Sequence, residues 1–237
     1  MGCKRSHVRI VSLRPLLFLL NEFWRIFSLA SWVLKMKAVF DVGKVLGNAQ
    51  FGWREILATS GESYQDHPLA NGQISDFDAY LKYETGEIST DSYLESLQEV
   101  FCLASKEAAY RVHASILLEE FDGVQEVIQR LHTQGIETAT LSNNNPIHWQ
   151  LFTSSGKYPS VELIQQKLVS YQLGFMKPDS RIFSEFCKVT GWAPSEIVFV
   201  DDSPKNIETA IACGWRAKRI DPSEPVAEQL IRAFSLE

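Results

Sequence analysis

Four stretches of this 237-residue chain end a short apolar run on a residue that can do chemistry. Met36-Lys-Ala-Val-Phe40 runs into Asp41-Val-Gly43. Glu137-Thr-Ala-Thr-Leu141 runs into Ser142 and Asn143. Leu168-Val-Ser-Tyr171 is followed by Gly174-Phe-Met-Lys177-Pro178. Glu196-Ile-Val-Phe-Val200 runs into Asp201-Asp202-Ser203-Pro204. β-Prone runs that stop at polar turn residues read as buried strands. Ligands of open α/β sheets bind at the carboxyl ends of the strands. The four ends therefore meet at one sheet edge. Singly, each residue has a plain structural reading. Asp41 serves as a turn former or helix cap, Ser142 and the Asn run as caps and turns, Lys177 as a solvated loop lysine, Asp201-Asp202 as a cap. Together and in this order they are too many for coincidence.

Asp41, Asp201 and Asp202 would repel one another unless a cation sits among them, and hard oxygen ligands favour Mg²⁺. Ser142 and the backbone N–H of Asn143 offer donors to phosphate oxygens. Lys177 offers a positive charge to the phosphate and to Asp41. Such a set suits phosphoryl transfer, where catalysis is mostly positioning and charge stabilisation. A carboxylate nucleophile that forms an aspartyl-phosphate is one route.

The elements that must position these groups follow from periodicity. Residues 36–47 and 119–237 read as an α/β core, a doubly wound parallel sheet with helices on both faces. Helices are expected at Val124–Thr133, Arg181–Thr190 and Asn206–Cys213, with stops at Gly135, Gly191 and Gly214. Residues 48–118 read as an all-helical insert without strands, its last helix running from Lys106 to Leu118. An insert placed directly after Asp41 is positioned to cover the site. Trp53, Tyr80 and Tyr83 either line its pocket or form its core.

Residues 1–35 do not match the rest. Met-Gly-Cys-Lys-Arg-Ser fits a myristoylation pattern with a palmitoylatable Cys3, and the apolar pieces beyond it are too short to span a bilayer. A membrane-surface helix is one reading. The favoured reading starts translation at Met36 and leaves 1–35 untranslated or disordered. With 45% hydrophobic and 22% charged residues and a net charge of −6, the composition is that of a soluble globular protein without the basic excess of a nucleic-acid binder. Four cysteines without CxxC spacing read as reduced thiols of a cytoplasmic protein.

Phe40-Asp41-Val-Gly43-Lys-Val-Leu46, Leu141-Ser142-Asn143, Lys177-Pro178 and Val200-Asp201-Asp202-Ser-Pro-Lys-Asn206 together resemble the four motifs of the haloacid dehalogenase-like (HAD) hydrolase superfamily. Ser-Asn-Asn-Asn-Pro-Ile-His148 and Tyr171-Gln-Leu-Gly-Phe-Met-Lys177 resemble its branch with small helical caps, which includes bacterial sugar-phosphate phosphatases and epoxide hydrolase N-terminal domains. The resemblance covers about residues 36–220. It implies a Rossmann-like core and a Mg²⁺-dependent phosphatase acting on a small phosphorylated metabolite. Composition and the short apolar runs add the expectation of no nucleic acid and no stable membrane insertion, and monomer and homodimer both stay open. Asp41 would be nucleophile and Mg²⁺ ligand, Asp202 a direct ligand, Asp201 a ligand or water-mediated partner. The Gly43 carbonyl would complete the shell; Ser142, Asn143, Lys177 and Gly43 would meet the substrate. One departure stands out, because phosphatases of the superfamily usually carry a second Asp, as general acid and base, where this chain has Gly43. A leaving group that needs little protonation, such as that of a sugar 1-phosphate, would suffer least, or a donor such as His148 or a cap residue stands in. A preference for hexose 6-phosphates over 1-phosphates would count against the first option. Lys44, directly after Gly43, reads either as a surface charge at the cap hinge or as a substrate contact. Two other readings compete. One is a metal-independent 2-haloacid dehalogenase, which the paired acidic residues disfavour; the other is a non-catalytic binding protein that kept the fold.

Overall fold

The computed structural model of the protein describes residues 36–236, so the readings made on 1–35 lie outside the described residues. Strand β1 (Lys37–Phe40) is followed by a tight turn and β2 (Gly47–Ala49). Then come α1 (Trp53–Ser60), α2 (Asp78–Glu84), α3 (Thr90–Phe101), α4 (Lys106–Ala114) and β3 (Leu117–Glu120). The rest alternates: α5 (Val124–Thr133), β4 (Glu137–Ser142), α6 (Pro146–Ser154), α7 (Pro159–Leu163), β5 (Gln166–Val169), α8 (Ser170–Leu173), α9 (Ser180–Thr190), β6 (Ile197–Asp201), α10 (Pro204–Ala212), β7 (Arg216–Arg219) and α11 (Val226–Ala233). Among the described residues no helix is long and apolar enough to cross a membrane.

Five strands form one parallel sheet in the order β5-β4-β1-β6-β7. Ala38, Val39 and Phe40 are all fully buried, as the central strand of a sheet covered on both faces requires. Side chains alternate faces along a strand. Val39 accordingly packs with Ile182, Phe183 and Phe199 on one side, while Phe40 meets Phe234 at 5.1 Å on the other. The register sets Phe40 opposite both Thr140 and Val200, so β1, β4 and β6 end at one level. That level carries Asp41, Ser142 and Asp201.

Helices α1–α4 surround a separate apolar cluster. Trp53 is fully buried against Phe101 at 5.2 Å, and Tyr83 stacks on Tyr93 at 4.5 Å with ring planes 8° apart. Truncating Trp53 to Ala would cost about 3–5 kcal/mol. Ser89 and Ser105 cap α3 and α4 by accepting the N–H of Ser92 and Ala108. Ile147 of α6 reaches into the same cluster. Two glycines are demanded by close approach. A Cβ on Gly47 would lie 2.9 Å from the Phe152 ring, and one on Gly86, at φ 75°, would lie 2.5 Å from the Tyr171 carbonyl.

Several expectations need correction. The insert is not strandless: β2 and β3 pair antiparallel at its two ends. The helix from Lys106 stops at Ala114, because Leu117–Glu120 pairs with β2 instead of continuing the helical periodicity. β5 ends at Val169, not Tyr171, since Ser170 starts a helical turn and its hydroxyl reaches the Glu84 and Asn144 carbonyls. β7 and α11 went unread. β7 is Arg-Ala-Lys-Arg, an edge strand with no apolar signature.

Candidate active site

Asp41 sits one residue beyond β1, and its N–H is still held by the Val200 carbonyl at 2.9 Å. Its Oδ1 accepts the Val42 N–H at 2.7 Å and lies 3.0 Å from Lys177 Nζ. The Lys177 side chain is fully buried and donates to Asp201 Oδ2 at 2.6 Å. Asp201 also accepts the Ser203 N–H at 2.8 Å and the Asn206 amide at 3.0 Å on each oxygen. The three carboxylates of Asp41, Asp201 and Asp202 each present an oxygen within 4.8 Å of the others. The gathering of these ends at one rim is therefore a fact of the structure.

The neighbours sort the members. Both Asp201 oxygens are occupied by protein donors, whereas Asp41 and Asp202 line an open cavity of about 310 Å³ together with Gly43 and Asn143. Ser142 is buried; its hydroxyl lies 3.4 Å from the Asn143 carbonyl and draws the Asp41 carboxyl down. Asn143 clamps the Lys177 backbone from both sides, its Nδ2 donating to the Lys177 carbonyl at 2.9 Å and its Oδ1 accepting the Lys177 N–H at 2.7 Å. In the sequence Asn206 only closes the fourth motif; in the structure its amide, from the first turn of α10, fixes Asp201.

Charge balance at this rim is unfavourable. Burial pushes the Asp41 carboxyl up to about 7; Lys177 opposes that rise, and Asp201 and Asp202 add to it. Asp202 is raised by burial and by Asp201. Burial alone would lower the Lys177 ammonium, but Asp201 and Asp41 outweigh it and its net shift is upward. Three carboxylates against one paired ammonium, with Lys44 drawing Asp202 down only weakly, leave room, electrostatically, for a hard divalent cation at the two carboxylates that face the cavity. The donor set fits such an ion.

The remaining candidates separate cleanly. Trp53, Tyr80 and Tyr83 all belong to the apolar cluster of the insert, and of the three Tyr80 also lines the cavity. Lys44, at φ 63°, folds its ammonium back onto Asn48 Oδ1 at 3.0 Å and stands over the Phe51 ring at 5.5 Å, so it braces the turn after Gly43. His148 touches the cavity, but both ring nitrogens are taken. Nε2 lies 3.0 Å from the His113 carbonyl and Nδ1 3.2 Å from the Asn145 amide. Burial lowers it to about 4. It cannot be the proton donor considered for it.

Known proteins bear on this geometry. The chain is 26% identical over 212 residues to acyl-CoA dehydrogenase family member 10 of Mus musculus; the match takes in 81% of the chain but only 18% of that protein. It is 29% identical over 146 residues to the D-ribitol-5-phosphate phosphatase of Bacteroides thetaiotaomicron, covering 57% of the chain and 68% of the relative. Among solved structures, a HAD family enzyme of Bacteroides thetaiotaomicron in its magnesium complex superposes with a TM-score of 0.68 at 21% identity. That match covers 82% of this chain and 97% of that one, and it shows the shared fold. The model of the haloacid dehalogenase-like hydrolases matches residues 38–214, and with that span containing every strand end just described, the chain belongs to this family.

Proposed function

We propose that the chain is a Mg²⁺-dependent phosphatase that hydrolyses a small phosphorylated metabolite through an aspartyl-phosphate on Asp41. One observation carries this reading: the Asp41 carboxylate stands at a cavity floor between a fully buried ammonium, Lys177, and a second carboxylate, Asp202, that is free to bind a cation. Asp41 and Asp202, with the Gly43 carbonyl, would hold Mg²⁺. When bound, that ion would neutralise phosphate oxygens and bring the Asp41 pKa down, leaving a nucleophilic carboxylate.

Lys177 and Ser142 would act from the protein side. The ammonium balances charge on the phosphoryl group as it transfers, and Ser142 with the Asn143 N–H donates to its oxygens. Asp201 holds Lys177 in line and gives up its own oxygens to do so, which makes it a positioning residue. The phosphatase named among the relatives acts on a pentitol phosphate, and the magnesium complex of the structural neighbour supports the choice of ion. A sugar or sugar-alcohol phosphate is the substrate class we favour. Cys102, Cys187 and Cys213 are free thiols, which suits the cytoplasm.

A panel of sugar and polyol phosphates, with Mg²⁺, with EDTA and with Asp41→Asn, tests the reading. Turnover that needs Mg²⁺ and vanishes in the variant supports it. Metal-independent halide release from 2-haloacids would establish the dehalogenase alternative, and no turnover on the panel or on haloacids would leave a binding protein.

A further inference from the structure

We propose that Glu84, at the C-terminal end of α2, is the proton donor and acceptor that the site lacks at position 43. The proposal rests on the phosphatase reading and deepens it. Among the described residues the titratable groups lining the cavity are Asp41, Asp202, Tyr80, Glu84 and His148. Asp41 and Asp202 are taken by the nucleophile and cation roles. The Tyr80 hydroxyl spends its proton on Glu84 Oε1 at 2.8 Å, and burial raises it well above its ordinary range. His148 is buried neutral with both nitrogens engaged. Glu84 remains.

Glu84 is 5% exposed, faces the cavity and makes no ion pair among the described contacts. A carboxyl offers about four lone-pair sites. Tyr80 takes one of them, and the Asn145 amide draws the group down. Burial pushes the group up to about 7, against the pull of Tyr80, Asn145 and Lys177, so both protonation states are populated near neutrality. That is where an acid–base catalyst works best. The groups around it hold their own protons steady. Tyr93 of α3 is raised well above its ordinary range by burial. His113 of α4 and His148 of α6, behind Asn145, are held neutral by burial.

Its placement is fixed from the core side. The Ser170 hydroxyl lies 2.6 Å from the Glu84 carbonyl and 3.0 Å from that of Asn144, and accepts the Asn144 N–H at 2.9 Å. The end of α2 is thereby tied to the loop that carries Ser142 and Asn143.

In the first half-reaction an Asp41 oxygen attacks phosphorus. The bond to the leaving oxygen breaks, its electron pair stays on that oxygen, and the Glu84 proton neutralises it as the alcohol departs. In the second, water attacks the aspartyl-phosphate and passes one proton to the Glu84 carboxylate. The phosphorus bond to Asp41 breaks and phosphate leaves. Glu84 ends as it began.

The test compares leaving groups in Glu84→Gln, which keeps the shape and the hydrogen bond from Tyr80. Acetyl phosphate leaves as acetate and needs no proton. A pentitol or hexose phosphate leaves as an alkoxide and does. The expected result is a kcat/KM, which reports the steps up to departure of the leaving group, about 10²–10⁴-fold lower on the best alkyl phosphate and changed within about 3-fold on acetyl phosphate, while kcat falls on both because they share the water step. The limb of the kcat/KM–pH profile near 7 disappears. The acetyl phosphate activity also reports that the variant is folded. Adding Gly43→Asp should restore part of the loss, since a Cβ there would meet no atom within 4 Å. Equal losses of kcat/KM on both substrates, or an unchanged kcat/KM on the alkyl phosphate, would overturn the assignment. So would a wild type that cleaves acetyl phosphate but no alkyl phosphate. A wild type inert on every phosphate sinks the phosphatase reading itself.

Discussion

The floor and the wall of the cavity bury polar groups in opposite ways. On the floor, Lys177 and Asp201 are charged, almost fully buried and paired to each other. On the wall, Asn145, His113 and His148 are just as buried but are wired as neutral donors and acceptors, and Glu84 among them changes charge near pH 7. Taking Nε2–H on both histidines, every polar side-chain atom of His113, Asn145 and His148 has a partner of the right kind. Tyr93 donates to His113 Nδ1, His113 donates to Asn145 Oδ1, Asn145 donates to His148 Nδ1, and His148 donates to the His113 carbonyl. The difference follows from the task. A phosphoryl group needs fixed charge around it, whereas proton transfer needs a group that can change charge without a permanent partner.

The largest break should come from the nucleophile. Asp41→Asn is expected to lower kcat on the order of 10⁴–10⁶-fold, as loss of a nucleophile does elsewhere. It should leave the melting temperature level or higher, because it removes one of three crowded carboxylates. Steady-state kinetics and calorimetry on the same sample check both halves. A destabilised variant would mean that the floor depends on Asp41 for its packing.

Next is the charge that the floor cannot lose. Lys177→Met keeps the stem but leaves Asp201 buried with only Asn206 and Ser203 to hold it. Breaking a buried pair by removing one partner typically costs about 3–5 kcal/mol. Urea unfolding should show that loss, and Lys177→Met/Asp201→Asn should recover part of it. The wall should be softer. Asn145→Ala removes the acceptor of the His113 Nε2–H and the cap that takes the His148 N–H at 3.0 Å. With neutral partners the expected loss is about 2–3 kcal/mol. A larger loss than for Lys177→Met would reverse the comparison.

Floor and wall also differ in how far residue types alone reveal them. Asp41, Ser142 and Asp201 end runs buried on both faces, and such runs need no tertiary information to be recognised. Of three consecutive asparagines the sequence singles out only Asn143, for its backbone N–H, yet each side chain has its own task. Asn143 clamps Lys177, Asn144 Oδ1 takes the Asn145 N–H at 2.9 Å, and Asn145 caps α6. Identical side chains next to one another carry no signal that separates those tasks. Glu84 was invisible because Tyr83-Glu84-Thr85-Gly86 has the look of a solvated helix end. What fixes its place is Ser170, far along the chain, whose hydroxyl donates to the Glu84 carbonyl. The same cause explains β2 and β3, which are too short to show a period and exist because they pair with each other.

The smallest effect is also the most discriminating between a charged and a neutral wall. His148 is held at about 4 against an ordinary 6.5, and His113 is lowered as well. Below pH 6.5 the unfolded chain takes up protons that the folded one refuses, so these histidines make stability fall as the pH drops from 6.5 towards 4. Glu84 acts with the opposite sign. Its folded value is about 7 against an ordinary 4.5, so the folded chain holds a proton that the unfolded one has lost. Its contribution is full below 4.5 and is lost as the pH rises through 7. Between 4.5 and 6.5 the two trends oppose each other, each at roughly 1 kcal/mol per pH unit for every proton involved. Glu84→Gln removes only the second trend. Chemical denaturation of wild type and variant from pH 4.5 to 7.5 should therefore show the variant losing stability faster on acidification and gaining on wild type towards neutrality. Asp41 titrates in both proteins and drops out of the difference. Parallel curves would mean that Glu84 is ionised throughout, and the wall would then be a second charged site rather than a neutral one.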